Sequence, residues 1–153
     1  MDFRNVDVSR VHIIATKAHY GATKLVFQTP RTHFSFKKTD VGMSLVLERL
    51  PRECADFFEA VDARIASTVN LPVPMHDYMS VDRCLFVRLY DDTLLFDERG
   101  GEMDADKMPA RGVCQCLVEL KGIWTNAAKW GPKFVVRELK LQNHVPGCSP
   151  LGK

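Results

Sequence analysis

The side chains with the most evident chemistry lie between Lys121 and Gln142. Trp124 and Trp130, the only tryptophans of the chain, are six residues apart in this stretch. Five cations are spread around them: Lys121, Lys129, Lys133, Arg137 and Lys140. Aromatic rings interleaved with cations are what a protein needs to stack unpaired bases and to neutralise a phosphate backbone. At this point an equally good interpretation is that both tryptophans are core residues of an ordinary β-domain.

Two further groups of residues extend this candidate site. Tyr20, Phe34 and Phe36 are additional stacking candidates, although Phe34 and Phe36 share one strand parity and are better explained as core. Further phosphate-binding candidates are Lys24, Arg31, Lys37 and Lys38. Any single lysine is more often only a solvated side chain, so the prediction is that several of the set line one groove. No code for reading base edges is visible, so we expect little sequence preference.

The charge distribution supports a basic face. Residues 1–50 carry eight basic and four acidic side chains, and residues 113–153 carry six basic and two acidic ones. The segment between them carries seven basic and thirteen acidic side chains. If the two basic ends meet in one sheet, they form a surface that attracts polyanions.

Alternating apolar residues predict short strands on both sides of one helix. The strands are expected at 8–18, 24–28, 32–37, 43–47, 84–90, 93–96, 113–121 and 133–142, with turns at 19–23 and around Trp130-Gly131. Pro51 and apolar residues at helical spacing, from Cys54 to Ile65, predict an amphipathic helix over about 52–68. Six to eight strands with one interposed helix favour a mainly β, OB-like barrel. We expect one domain over residues 1–143 and a flexible tail over 144–153.

Several classes of function lack their sequence signatures. There is no phosphate-binding glycine loop, no dinucleotide fingerprint, no zinc-protease motif and no nucleophile elbow. The five histidines share no metal-ligand spacing with one another or with the five cysteines. We therefore expect no enzymatic activity, no catalytic residues, no cofactor and no metal. The N-terminus lacks a signal peptide, no apolar run reaches membrane-spanning length, and the odd cysteine number suits a reduced compartment. These features predict an intracellular protein, cytoplasmic or nuclear, that is neither secreted nor bound to a membrane.

Three segments together resemble a known family. They are LVFQTPRTHFSF (25–36), CLFVRLYDDTLLFD (84–97) and VELKGIWTNAAKWGPKFVVRELKLQ (118–142). Their order resembles the single-stranded DNA-binding proteins of large eukaryotic DNA viruses, which in turn resemble the replication proteins of short-tailed phages. The resemblance implies an OB fold that coats single strands during replication, recombination or repair, in the host cell. The phage proteins end in an acidic tail that recruits partners, whereas residues 142–153 contain no acid. Either that recruitment is absent here or the chain is shortened.

The sequence thus predicts a non-enzymatic protein that binds single strands, with DNA favoured over RNA. Trp130, placed at a turn, is the ring expected to meet a base, while Trp124 is expected to hold the barrel closed. Replication proteins and further copies of the chain are candidate partners. The alternative is a protein-interaction or structural module whose aromatic residues form an interface. A third possibility is a small nuclease using Asp91, Asp92 or Asp97 with a metal ion.

Overall fold

The structure is a computed structural model that describes residues 1–40, 42–72 and 83–142. The predicted tail and the connection around His76 and Asp77 lie outside these residues. The described part contains nine strands, one α-helix and three short 3₁₀ turns. The strands are β1 (Val11–Ile14), β2 (Lys17–Tyr20), β3 (Leu25–Gln28), β4 (Thr32–Thr39), β5 (Gly42–Glu48), β6 (Leu85–Leu89), β7 (Leu94–Phe96), β8 (Arg111–Thr125) and β9 (Trp130–Gln142), and the helix is α1 (Arg52–Thr68).

Five of the strands close into a ring. β4 pairs with β5, β5 with β6, and β6 with β9, and β8 then pairs with both β9 and β4. β8 reaches so many partners because it is long and irregular, with register shifts at Leu117/Val118 and at Leu120/Gly122. Such bulges bend a strand and let a sheet close on itself. The ring is a small barrel, and its alternate residues point into one core.

Phenylalanines from strands and helix fill that core. Phe57 and Phe58 of α1 pack edge-on against Phe27 of β3, with ring centroids 4.9 and 5.7 Å apart. Phe58 also meets Phe134 of β9 at 5.2 Å with perpendicular rings. Burying each such side chain contributes about 1.5–3 kcal/mol, so this cluster holds α1 against the barrel.

The hairpin of β1 and β2 lies outside the ring. It joins β8 where Lys17 pairs with Gly122 and where the Ile123 N–H donates to the Thr16 carbonyl oxygen at 3.0 Å. A Cβ at Gly122 would collide with that carbonyl oxygen, so only glycine lets the hairpin approach this closely. On its other side the hairpin is held by α1, because the Arg64 Nε donates to the Val11 carbonyl oxygen at 2.9 Å.

The helix is confirmed over Arg52–Thr68, and the mainly β architecture is confirmed as well. Two local predictions are wrong. Residues 8–18 do not form one strand: Val8–Arg10 is a 3₁₀ turn, and the chain reverses between β1 and β2 near Ala15, whose φ is +57°. Residues 19–20, predicted as part of a turn, belong to β2.

The last hairpin is longer than predicted, and its turn lies elsewhere. The Asn126 side-chain oxygen accepts the N–H groups of Ala128 and Lys129, at 2.8 and 2.9 Å. This asparagine turn places the reversal at 126–129, so that Trp130 is the first residue of β9 and pairs with Thr125.

Candidate nucleic-acid interface

Four aromatic residues and two cations line a surface groove of about 510 Å³ beside the pair β6–β9, and three of the rings are accessible while Phe134 is buried. We call it the aromatic groove, and its lining residues are Phe86, Arg88, Tyr90, Trp124, Pro132, Lys133, Phe134 and Val135. They come from β6, β8 and β9, which ring closure brings side by side. The site is therefore built mainly on strands of the barrel.

Strand periodicity sets the β6 side of the groove. Leu85, Val87 and Leu89 are buried in the core, so the alternate residues Phe86 and Arg88 point outward. Tyr90 continues the same parity just beyond the strand. Phe86 is 52% exposed and Tyr90 is 38% exposed, which is unusual for large apolar rings. This edge of the groove presents two accessible rings with a guanidinium between them.

A glycine sets the opposite side. Trp124 of β8 pairs with Gly131 of β9, and a Cβ added at Gly131 would lie 3.0 Å from three atoms of the Trp124 indole. The indole therefore lies flat across the strand at a position where any side chain would obstruct it. Trp124 is half-buried and lines the groove, so one part of its ring is seated and another part is accessible.

Cations accompany these rings. Arg88 and Lys133 line the groove itself, and the Lys121 Nζ lies 6.0 Å from the centroid of the Tyr90 ring. A cation at that distance from a ring face is attracted by the ring quadrupole, which keeps Lys121 next to the groove. The arrangement can stack flat aromatic groups and neutralise anions a few ångströms away.

A second groove adjoins the first and is basic. It measures about 610 Å³, and we call it the basic groove. Its charged and titratable lining residues are Lys17, His19, Lys24, Glu119, Lys121 and Lys133. Lys133 lines both grooves. The Glu119 carboxylate, the acid of this groove, is buried and accepts a hydrogen bond from Arg137 Nη1 at 2.8 Å. Its charge is therefore paired with Arg137 and not with the lysines of the groove.

The predicted aromatic residues separate into two groups. Trp130 is only 5% exposed and Tyr20 and Phe34 are also buried, so the prediction that Trp130 presents its ring is wrong. The reason is that Trp130 begins a strand and joins the core cluster instead of occupying a turn. The Tyr20 hydroxyl accepts the Asp7 N–H at 2.8 Å, with Arg10 stacked on the ring at 4.4 Å. Phe36 is half-buried against the core, and Trp124 is the only predicted ring that lines the aromatic groove.

The predicted cations also separate. Lys24, Lys121 and Lys133 line one or both grooves. Lys38 is paired with Asp106 at 2.8 Å, and this contact raises the pKa of the lysine and lowers that of the carboxyl. Arg137 is held by Glu119. The remaining candidates are exposed but line neither groove: Arg31, Lys37, Lys129 and Lys140.

Sequence reasoning missed Phe86, Arg88 and Tyr90. A signal was present, because in CLFVRLY these residues share the parity opposite to Leu85, Val87 and Leu89. An aromatic–arginine–aromatic alternation facing away from an apolar one indicates a functional strand face. Lys17 was missed because it was placed inside a continuous strand, far from the last hairpin.

No group of three metal-binding side chains occurs among the residues that the structure describes. Within the same residues, no helix is long and apolar enough to span a bilayer. The Cys114 and Cys116 sulfur atoms are 3.7 Å apart and buried in the core as free thiols.

No protein-family model matches the sequence, and no curated protein matches it. Among solved structures, the chain is similar to the single-stranded DNA-binding protein from bacteriophage Enc34 in complex with single-stranded DNA. The TM-score is 0.51 at 10% identity, covering 84% of this chain and 91% of that chain. A C-terminal truncation of the Enc34 protein gives a TM-score of 0.51 at 10% identity, over 84% and 90% of the two chains. A further structure of it gives 0.51 at 7% identity, over 84% and 86%. These likenesses confirm the predicted OB-like fold.

Proposed function

We propose that this protein binds single-stranded DNA, without catalysis and with little sequence preference, through the aromatic groove. One observation carries the proposal: accessible rings on β6 and β8 lie within one groove that also holds Arg88 and Lys133. Large aromatic side chains are usually buried away from water. A groove that leaves several of them accessible therefore favours a ligand with flat apolar faces.

The geometry suits unpaired bases. Each base has a π-face, so stacking on Phe86, Tyr90 and Trp124 tolerates any sequence. Every nucleotide also carries one phosphate, which Arg88, Lys133 and Lys121 are placed to neutralise. In a duplex the base faces are stacked on one another, so only the cations of this site could bind a duplex, through its phosphates.

The fold supports the same proposal. A solved protein with a similar fold is described as a single-stranded DNA-binding protein in complex with single-stranded DNA. The resemblance of the sequence implies the setting that we propose, namely replication, recombination or repair of the DNA of a large eukaryotic virus. Replication proteins of that system are the proposed partners.

The test separates the stacking and ionic parts of the site. Phe86→Ala removes an exposed ring, and Arg88→Gln removes the neighbouring charge. Matched controls are Leu94→Ala, an exposed apolar residue on β7, and Lys107→Gln, an exposed cation outside both grooves. Affinity for oligothymidine is measured by fluorescence anisotropy at several salt concentrations.

We expect Phe86→Ala to weaken binding by about 5- to 150-fold, the equivalent of one stack worth about 1–3 kcal/mol, with an unchanged salt slope. Arg88→Gln is expected to reduce the slope of log K against log salt by about 0.7, the value for one single-strand phosphate contact. Folded variants that bind like the wild type refute the assignment. Absence of salt-dependent binding, together with loss of self-association in Phe86→Ala, would favour the protein-interaction alternative.

A further inference from the structure

The aromatic groove has two ends of opposite charge. Beyond Arg88 and Tyr90, the surface enters a depression of about 600 Å³ that both residues also line. Five acids face that depression: Asp40, Asp91, Asp92, Glu102 and Asp104. Lys38, the cation beside them, is paired with Asp106. A polyanion leaving the groove at this end meets like charge.

The other end leads to the basic groove. Lys133 lines both grooves, and Lys121 lines the basic groove while its Nζ approaches the Tyr90 ring. Lys133 and Lys121 thus connect the cations of the two grooves. Screening acts over about 10 Å at 0.1 M salt, so adjoining charges of this kind act together on a passing chain.

The far wall of the basic groove belongs to the β1–β2 hairpin, the element outside the barrel ring. Lys17 and His19 come from β2, and Lys24 lies just before β3. Lys17 and Lys24 are exposed. Among the residues that the structure describes, neither lysine forms an ion pair with an acid. Tyr20 is buried and the half-buried His19 imidazole is stacked on His12 at 5.4 Å, so this wall offers mainly charge and no exposed phenyl or indole ring.

We infer that the β1–β2 hairpin and Lys24 form a second subsite, which binds only the phosphates of the DNA strand that leaves the aromatic groove. This inference rests on the proposed function and assigns the direction in which the strand continues. Bases stack in the first groove, and the following nucleotides are held by their backbone against Lys17 and Lys24. Sequence and base identity have no role in this second part.

The experiment compares a short oligothymidine of about 5 nucleotides with one of about 12, a range that spans the site sizes of OB folds. A second pair of ligands joins the short oligonucleotide to abasic nucleotides, on either its 5′ or its 3′ side. The protein variant is Lys17→Gln/Lys24→Gln, and the matched control is Lys129→Gln/Lys140→Gln, two exposed lysines outside both grooves. Thermal unfolding verifies that all variants fold.

In the wild type we expect tighter binding of the long ligand, and one of the two abasic ligands should reproduce the gain. Two added phosphate contacts give an extra salt slope of about 1.4, so the long-to-short affinity ratio falls about sevenfold between 50 and 200 mM salt. In Lys17→Gln/Lys24→Gln the ratio should lose this salt dependence, while affinity for the short ligand stays unchanged. The control pair should behave like the wild type.

Three results would overturn the inference: no gain from either abasic extension, an equal loss for short and long ligands, or the same effect in the control pair. Each leaves the proposed function intact if the short oligonucleotide still binds in a Phe86-dependent manner. Failure of the short oligonucleotide to bind refutes the proposed function instead.

Discussion

The two tryptophans are expected to respond differently to DNA, and single-tryptophan variants can show it. Trp124 lines the aromatic groove, while Trp130 is 5% exposed and belongs to the core. Trp130→Phe leaves Trp124 as the only indole, and Trp124→Phe leaves Trp130. Titration of each variant with oligothymidine should quench Trp124 emission strongly and leave Trp130 emission nearly unchanged.

Alanine variants give the magnitudes. Trp124→Ala removes one stack worth about 1–3 kcal/mol, so affinity should fall about 5- to 150-fold. Trp130→Ala instead leaves a cavity in the core and should lower the free energy of unfolding by about 3–5 kcal/mol, as for other large aromatic truncations. Below its unfolding temperature, the folded Trp130→Ala protein should bind DNA like the wild type.

The reasoning fails if the roles are reversed. Quenching of Trp130 in the Trp124→Phe variant would show that the ring at the start of β9 meets the base. Wild-type affinity in folded Trp124→Ala would show that Trp124 stacks on no base. Urea unfolding of each variant verifies that an affinity change does not come from an unfolded fraction.

Three further predictions concern stability. Arg137→Met leaves the buried Glu119 carboxylate without its 2.8 Å guanidinium partner and should cost roughly 2 kcal/mol in urea unfolding; adding Glu119→Leu should recover at least half of that loss. Gly122→Ala drives a Cβ into the Thr16 carbonyl oxygen and should cost about 3 kcal/mol, measured the same way; unchanged stability would contradict the close approach of the hairpin. Burial raises the pKa of Cys54 from 9.0 to about 12, so above pH 9 the unfolded chain loses this proton first. The free energy of unfolding should then fall with pH by about 1.4 kcal/mol per unit more steeply than in Cys54→Ala, and equal slopes would contradict it.

Local patterns predicted the elements that local interactions determine. The helix was predicted correctly because Pro51 starts it and a single apolar stripe from Cys54 to Ile65 repeats at its period. The strand character of 84–90 was equally clear from alternation. The same alternation places Phe86 and Arg88 on the outward face of this strand.

Long-range pairing decided what the sequence did not predict. Trp130 stands next to a glycine, which suggested a turn, but Asn126 makes the turn and the barrel then buries Trp130. Trp124 is accessible because Gly131, its partner across the hairpin, has no side chain. Neither outcome follows from local propensity, since both depend on the register between β8 and β9.

The aromatic groove lies over the joint where the ring closes. β6 and β9 are parallel there and share one registered pair, Arg88 with Val135, against twelve such pairs between β8 and β9. On its other edge β6 shares five registered pairs with β5, so only the β6 amides that face β9 are expected to exchange by local opening below the free energy of global unfolding. A strand of DNA that contacts Phe86 on one side and Trp124 on the other would bridge the joint. Binding would then slow exchange of the β6 amides that face β9 more than exchange in β4.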